Sequence, residues 1–393
     1  MELNFATRTK SMKASEIREL LKLAENPNII SFSGGFPAPE FFPTEELKKI
    51  TNLVLDKYSS VSLQYGASEG YTPLRQVIAK ERMSKVNVDC SGDNILITSG
   101  SQQGLDFTAK IFINKGDKIV VERPTYLGAV TAFKAYEPEF VEVDTEEDGM
   151  NVVQLEEVLK NNKDIKFIYT IPDFQNPSGI TMSLKKRKQL CILSEKYKVI
   201  ILEDSPYGEL IYEGKCLPSI KSFDKAGYVI YLGTFSKIFC PGLRIGWICA
   251  DEAILNKFLL CKQGADLQVS TFNQLITYEY LNNYDIDSHI EKLRNVYKSR
   301  KENMIECTKR YFPSNIKYTT PIGGLFIWLE LPEHLNSREI FKVALENGIA
   351  FVPGDPFYAL GGDFRHLRLN YSCMDEAKAE KGMKKLGEVL KRF

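Results

Sequence analysis

The sequence is poor in the residues that make metal sites and covalent staples. Its 393 residues hold only three histidines, His289, His334 and His366, and these lie far apart. Eight cysteines are scattered, and no two stand at C-x-x-C spacing. A chain of this length buries enough surface to fold without disulfides. The thiols are therefore expected to be reduced and mostly buried, in a cytoplasmic protein, and a zinc site is not expected. Excess charge of either sign is also missing, with Lys+Arg and Asp+Glu both 51. That balance gives no bulk attraction to nucleic acid or to an anionic membrane. No apolar run approaches the roughly 18 residues of a membrane-spanning helix. Met1–Lys10 lacks the apolar core and cleavage site of a signal peptide. No G-x-G-x-x-G turn follows the first candidate strand, which weighs against a dinucleotide fold. Internal repeats, low-complexity tracts and long linkers are lacking too.

What is present is alternation. Seven β-branched runs, Asn94–Thr98, Lys118–Val121, Glu139–Val143, Lys166–Thr170, Val199–Leu202, Tyr228–Leu232 and Ile245–Cys249, alternate with helical stretches such as Gln102–Ile113 and Leu184–Tyr197. The second of these helices has Ser183 as a natural N-cap. Strands alternating with helices predict an α/β fold whose open, mostly parallel sheet is covered on both faces. Beyond about Asp285 the pattern changes. A long charged helix, Ile286–Phe312, precedes a strand at Gly324–Leu331. A helix at Ser337–Asn347, strands at Ile349–Val352 and Leu367–Tyr371, and a last helix at Asp375–Lys391 follow. The expected organisation is a large domain, 44–284, and a smaller α+β domain, 285–393. A segment 1–43, with a helix near Ser15–Glu25, is expected to pack on the smaller domain.

Chemistry-bearing residues collect just after the candidate strands. Thr234-Phe-Ser236-Lys237, with Arg244 seven residues on, crowds hydroxyls and cations as a phosphate dianion requires. A lysine beside such a cation can have its pKa lowered and become a nucleophile for carbonyls. The plainer reading is a strand end with two solvated cations. Asp204 ends an apolar strand, where open α/β sheets bind ligands. It could hold a protonated ring nitrogen, with Tyr207 donating nearby, or Asp204 and Ser205 could simply cap a helix. Asn176-Pro-Ser-Gly179 is a turn first, and the open question is whether the Asn176 amide meets a ligand. Ser101 and Gln102 open a helix, whose N-terminus attracts anions. Tyr126 could stack on a flat ring or belong to core or surface. Arg368, in an alternating strand, faces either water or a carboxylate in a cleft.

Taken in this order, Asn176-Pro-x-Gly, Asp204-x-x-Tyr207, Ser236-Lys237, Arg244 and Arg368 resemble the class I aminotransferases of pyridoxal-phosphate fold type I. The resemblance runs from about Met12 to the end. Within that class, Met12–Lys22, Ser33–Glu40, Leu63-Gln-Tyr65-Gly and Lys262–Leu267 look closest to the 2-aminoadipate and kynurenine aminotransferases. The resemblance implies a seven-stranded large domain and pyridoxal 5′-phosphate as cofactor. It implies amino transfer from an aromatic, 2-aminoadipate or leucine-like L-amino acid to a 2-oxo acid such as 2-oxoglutarate. Lys237 would be the Schiff-base lysine and proton carrier, and Asp204 the partner of the pyridine nitrogen. Tyr126 would stack on the ring, and Asn176 and Tyr207 would bond its phenolate oxygen. Ser101, Gln102, Thr234, Ser236 and Arg244 would hold the phosphate. Arg368, helped by Asn176, would bind the substrate carboxylate, with Gly35 lining the substrate side. A homodimer is implied, in which Tyr65 reaches the partner's cofactor phosphate and Lys262–Leu267 lies near the boundary. Arg18 either reads a distal substrate carboxylate or is a solvated helix charge. Other activities of the same fold, a β-lyase or decarboxylase, are the competing expectation. A pyridoxal-phosphate-binding regulator is less favoured, because no winged-helix segment is read ahead of the resemblance.

Overall fold

The computed structural model describes residues 4–10, 26 and 28–393. The helix expected near Ser15–Glu25, and Arg18 with it, lies outside the described residues.

A helix, α1 (Thr44–Ser62), precedes the central sheet. The sheet strands are β1 (Ile95–Thr98), β2 (Lys118–Arg123), β3 (Glu139–Glu146), β4 (Gly149–Met150), β5 (Ile165–Thr170), β6 (Ile200–Asp204), β7 (Val229–Thr234) and β8 (Gly246–Cys249). Their order is β1-β8-β7-β6-β5-β2-β3-β4. The sheet thus has eight strands where seven were expected. The eighth, β4, is a two-residue edge strand antiparallel to β3, too short to leave an alternation in the sequence. Helices α2 (Ser101–Phe112), α3 (Leu127–Lys134) and α4 (Leu184–Tyr197) connect strands, and α5 (Glu252–Gln263) follows β8. Side chains of β1, β7 and β8 are buried throughout, as a sheet covered on both faces demands.

Strand direction is what assembles a site. β2, β5, β6 and β7 are parallel neighbours. β8 runs antiparallel to β7 and β1 alike, so β1 points the same way as β7. The C-terminal ends of β1, β2, β5, β6 and β7 therefore meet at one edge, together with the start of β8. Ser101, Tyr126, Asn176, Asp204, Lys237 and Arg244 all follow those ends or precede that start.

A four-stranded antiparallel sheet holds β9 (Lys317–Tyr318), β10 (Phe326–Glu330), β11 (Val352–Pro353) and β12 (His366–Asn370), in the order β9-β10-β12-β11. β12 carries Arg368, paired in register with Trp328 and Val352. Ile30–Ser31 pairs in parallel with Ile349–Ala350, and the Phe32 carbonyl accepts from the Asn370 amide at 2.9 Å. Phe32 to Phe36 is thereby laid beside β12. Among the described residues, no helix is long and apolar enough to cross a membrane.

The long loop after β5 is pinned from beneath. Arg187, on α4, is fully buried. Its guanidinium donates to both Asp173 carboxylate oxygens (2.6 and 3.3 Å) and to the carbonyls of Pro172, Met182 and Pro218. Arg187→Met is expected to leave the Asp173 carboxylate buried without a cation and to destabilise the fold by about 3 kcal/mol or more. Thermal melts of the variant and the wild type measure this; an unchanged Tm would overturn it.

Candidate active site

The strand ends enclose a cavity of about 660 Å³. Gly35, Ser101, Gln102, Tyr126, Asn176, Asp204, Tyr207, Thr234, Ser236, Lys237, Arg244 and Arg368 all line it. Of the remaining residues singled out in the sequence, Tyr65 lies elsewhere, 79% exposed just beyond α1, and Arg18 is outside the described residues.

Lys237 sits in the turn after β7 and faces the cavity with protein on its other sides. Its Nζ donates to the Gly35 carbonyl at 2.8 Å. Burial, then the charges of Arg368 and Arg244, push its pKa down to about 8 against the pull of Asp204. Asp204 ends β6 and is 2% exposed. Burial raises its carboxyl to about 7, opposed by the hydrogen bond from Tyr169 and the charge of Lys237. Tyr169 Oη donates to Oδ2 at 3.0 Å. The other oxygen, Oδ1, is buried and has no hydrogen-bond partner among the described residues. An unpartnered carboxylate oxygen in a dry site costs free energy unless a donor arrives.

Asn176 bridges two functional side chains. Its Nδ2 donates to Tyr207 Oη at 3.4 Å, and its Oδ1 accepts from Arg368 Nη1 at 2.7 Å. The Tyr207 ring stands edge-on to Phe326, 5.8 Å away. Tyr126 lies at the mouth of α3, folded back over Gly128. A Cβ on Gly128 would come within 2.4 Å of the tyrosine ring, so only glycine admits this pose.

On the opposite wall the donors converge. Ser101 and Gln102 begin α2, whose free N–H groups face the cavity end of the helix. Thr234 Oγ1 donates to Ser236 Oγ at 2.9 Å, and the Ser236 amide donates to Thr234 Oγ1. Arg244 has a left-handed backbone (φ 57°) and donates through Nη2 to the Ser99 carbonyl at 3.0 Å. Glycine makes this approach possible: a Cβ on Gly100 would stand 2.4 Å from Arg244 Nη2, and one on Gly246 would stand 2.7 Å from the Gly100 backbone. Two hydroxyls, a guanidinium and a helix N-terminus together suit a dianion.

Arg368 is 1% exposed, and among the described residues no carboxylate lies within 4 Å of it. Nη1 donates to Asn176 and Nη2 to the Ser33 carbonyl at 2.6 Å, while Nε has no partner among the described residues. The guanidinium lies over Phe326 (4.1 Å to the centroid) and Phe357 (5.1 Å). Burial lowers its pKa to about 10, so it stays cationic. A buried cation held by carbonyls and ring faces attracts an anion into the cavity.

The sequence reading missed Tyr169, Ser33, Phe326 and Phe357. Tyr169 is the next-to-last residue of a buried strand, and only the register Tyr169–Leu202 brings it under Asp204. Phe326 and Phe357 become neighbours of Arg368 only once β10, β11 and β12 are assembled.

Comparison with known proteins agrees with this geometry. The family model for aminotransferase class I and II matches residues 40–386. An aromatic-amino-acid aminotransferase of Thermococcus litoralis is 46% identical over 99% of this chain and 94% of its own length. A 2-aminoadipate transaminase of Thermus thermophilus is 41% identical over 97% of this chain and 94% of its own. A crystal structure of Pyrococcus horikoshii kynurenine aminotransferase, in complex with PMP and kynurenine, superposes with a TM-score of 0.94 at 42% identity, covering 99% and 97% of the two chains. A family match over most of the chain, joined to a cavity whose lysine, carboxylate and arginines stand at shared strand ends, places this protein among the class I and II aminotransferases.

Proposed function

We propose that Lys237 is the amine that carries the cofactor and moves the substrate proton, and that Arg368 anchors the substrate carboxylate. The protein is a pyridoxal-phosphate-dependent aminotransferase. The observation that carries the assignment of roles is the buried Asp204 Oδ1 without a partner, in the same cavity as a lysine of lowered pKa. The residues fit the cofactor at both its poles. Asp204 Oδ1 is ready for a ring N–H. The Ser101, Gln102, Thr234, Ser236 and Arg244 group suits a phosphate.

When bound, pyridoxal phosphate supplies an aldehyde for amines and an electron-withdrawing ring. The chain supplies position and charge. Asp204 keeps the ring nitrogen protonated, and Tyr169 holds that carboxylate in place. Tyr126 covers the ring face. Asn176 Nδ2 and Tyr207 Oη hold the phenolate oxygen. Arg368, with Asn176 beside it, fixes the substrate carboxylate and so the direction of the Cα–H bond. Lys237 Nζ takes the Cα proton and returns it on the cofactor side, Gly35 lining the approach. The amino donor and the acceptor 2-oxo acid would occupy this one cavity in turn.

The substrate range we assign is aromatic, 2-aminoadipate and leucine-like donors, with 2-oxoglutarate as acceptor. The relatives support it, as does an apolar rim of Phe36, Pro37, Ile171, Pro206, Pro241 and Phe326. Arg18, outside the described residues, keeps both of its readings, a reader of acidic side chains or a solvated helix charge. Two copies pair in this reading, with Tyr65 lent to the partner's phosphate. The exposure of Leu63 (72%), Tyr65 (79%) and Leu267 (53%) supports it. The domain division at 43/44 and 284/285 and a cytoplasmic location belong to the same reading. The cysteine spacing, which gives no disulfide framework, supports the location.

Three outcomes test this reading. In cofactor-free protein, acylation of Lys237 by a general amine reagent should follow a midpoint near pH 8, because the lowered pKa leaves the amine neutral above that pH; an ordinary lysine midpoint of about 10.4, read by peptide mass spectrometry, would contradict it. Phenylalanine or 2-aminoadipate with 2-oxoglutarate should yield glutamate, and Arg368→Ala should cut kcat/KM about a hundredfold for both donors; a loss confined to one donor would reassign Arg368 to side-chain recognition. Mixing inactive Tyr65→Ala and Lys237→Ala chains should restore about a quarter of wild-type activity, since half the random dimers would own one intact site. Recovery of none would remove Tyr65 from the partner's site.

A further inference from the structure

The segment Lys262–Leu267 lines no part of the cavity, yet it builds a specific structure behind it. Lys262, in the last turn of α5, is fully buried. Its Nζ donates to both Asp266 oxygens, at 2.9 and 3.1 Å, and to Gln103 Oε1 at 3.2 Å. Gln103 Nε2 donates to Asp266 Oδ2 at 2.8 Å. The same Gln103 Oε1 accepts the Ser99 amide at 2.9 Å. The Ser99 carbonyl, at the other end of that residue, accepts from Arg244. Ser99 is followed by Gly100 and then Ser101, the first residue of α2.

We propose that Lys262 is a positioning residue for the phosphate-binding turn, acting through Gln103 on Ser99; this rests on the phosphate assignment made above. The argument is one of donors and acceptors. A glutamine amide can flip, exchanging its oxygen and nitrogen. Here an ammonium, which only donates, faces one end, and a carboxylate, which only accepts, faces the other. The pair therefore fixes Oε1 toward Ser99 N–H. Flipped, Gln103 would point an N–H at another N–H and release the turn. The turn is held from one side by Arg244, which touches the ligand site, and from the other by this triad, anchored on the buried Lys262, which does not. The backbone folds to match: the amides of Ala265, Asp266 and Leu267 all donate to the Lys262 carbonyl, and Leu267 takes a left-handed conformation at φ 61°.

A lysine–aspartate pair kept only for stability would affect every ligand alike, or none. A support for the phosphate turn affects only ligands that carry a phosphate. Equilibrium dialysis of the cofactor-free full-length chain against pyridoxal phosphate, and separately against pyridoxal, which lacks the phosphate, tells them apart. The wild type should prefer pyridoxal phosphate. Lys262→Met should weaken pyridoxal phosphate about tenfold and pyridoxal less than about twofold, as expected for one displaced charge-assisted contact. Gln103→Met leaves the Lys262–Asp266 pair intact and should give the same selective loss; it carries the test should Lys262→Met fail to fold. Equal weakening of both ligands, or of neither, overturns the proposal. A wild type that binds both equally well sinks the phosphate assignment beneath it instead.

Discussion

A guanidinium buried with no carboxylate beside it among the described residues is the most demanding feature of this fold. Taking Arg368 out of water costs several kcal/mol even after relaxation, and its Nε finds no acceptor among the described residues. The compensation comes from distant parts of the chain: the Asn176 amide oxygen, the Ser33 carbonyl and the faces of Phe326 and Phe357. Each is held by other structure. Asn176 depends on the loop pinned by Arg187 and Asp173. Ser33 depends on the strand pair at Ile30–Ser31, and Phe326 on the register of β10 with β12. Much of the architecture thus serves to keep one cation dry and aimed.

The same balance governs Lys237. Burial first, and then two cations, lower its pKa to about 8, while one carboxylate raises it. Asp204 is tuned in the opposite direction by the same dry surroundings. Placing a lysine and a carboxylate of shifted pKa in one cavity is a familiar way to run proton chemistry near pH 7, and here both shifts follow chiefly from burial.

How much of this was legible in the sequence follows from where each signal lives. Lys237, Asp204, Asn176 and Arg244 could be found because short, turn-rich peptides follow apolar runs, and open sheets bind ligands at those ends. The helix Leu184–Tyr197 could be read to the residue from Ser183 and its periodicity. Tyr169 could not, because a tyrosine inside a buried strand looks like core until the neighbouring register is known. Lys262 carried a recognisable local pattern but no local chemistry; its partner Gln103 is 159 positions away. β4 was too short to show a period. α1 and the helix Thr271–Asn283 were not singled out in the sequence.

The anion cradle is braced by glycine, with Gly100 and Gly246 packed where a single carbon would collide with Arg244 or with the backbone at Gly100. Evolution by point substitution has almost no room there. The opposite rim, with Phe36, Pro37 and Phe326, is made of side chains and can change one residue at a time. A lineage built on this scaffold is therefore free to drift in what it reacts with, while what it reacts through stays fixed.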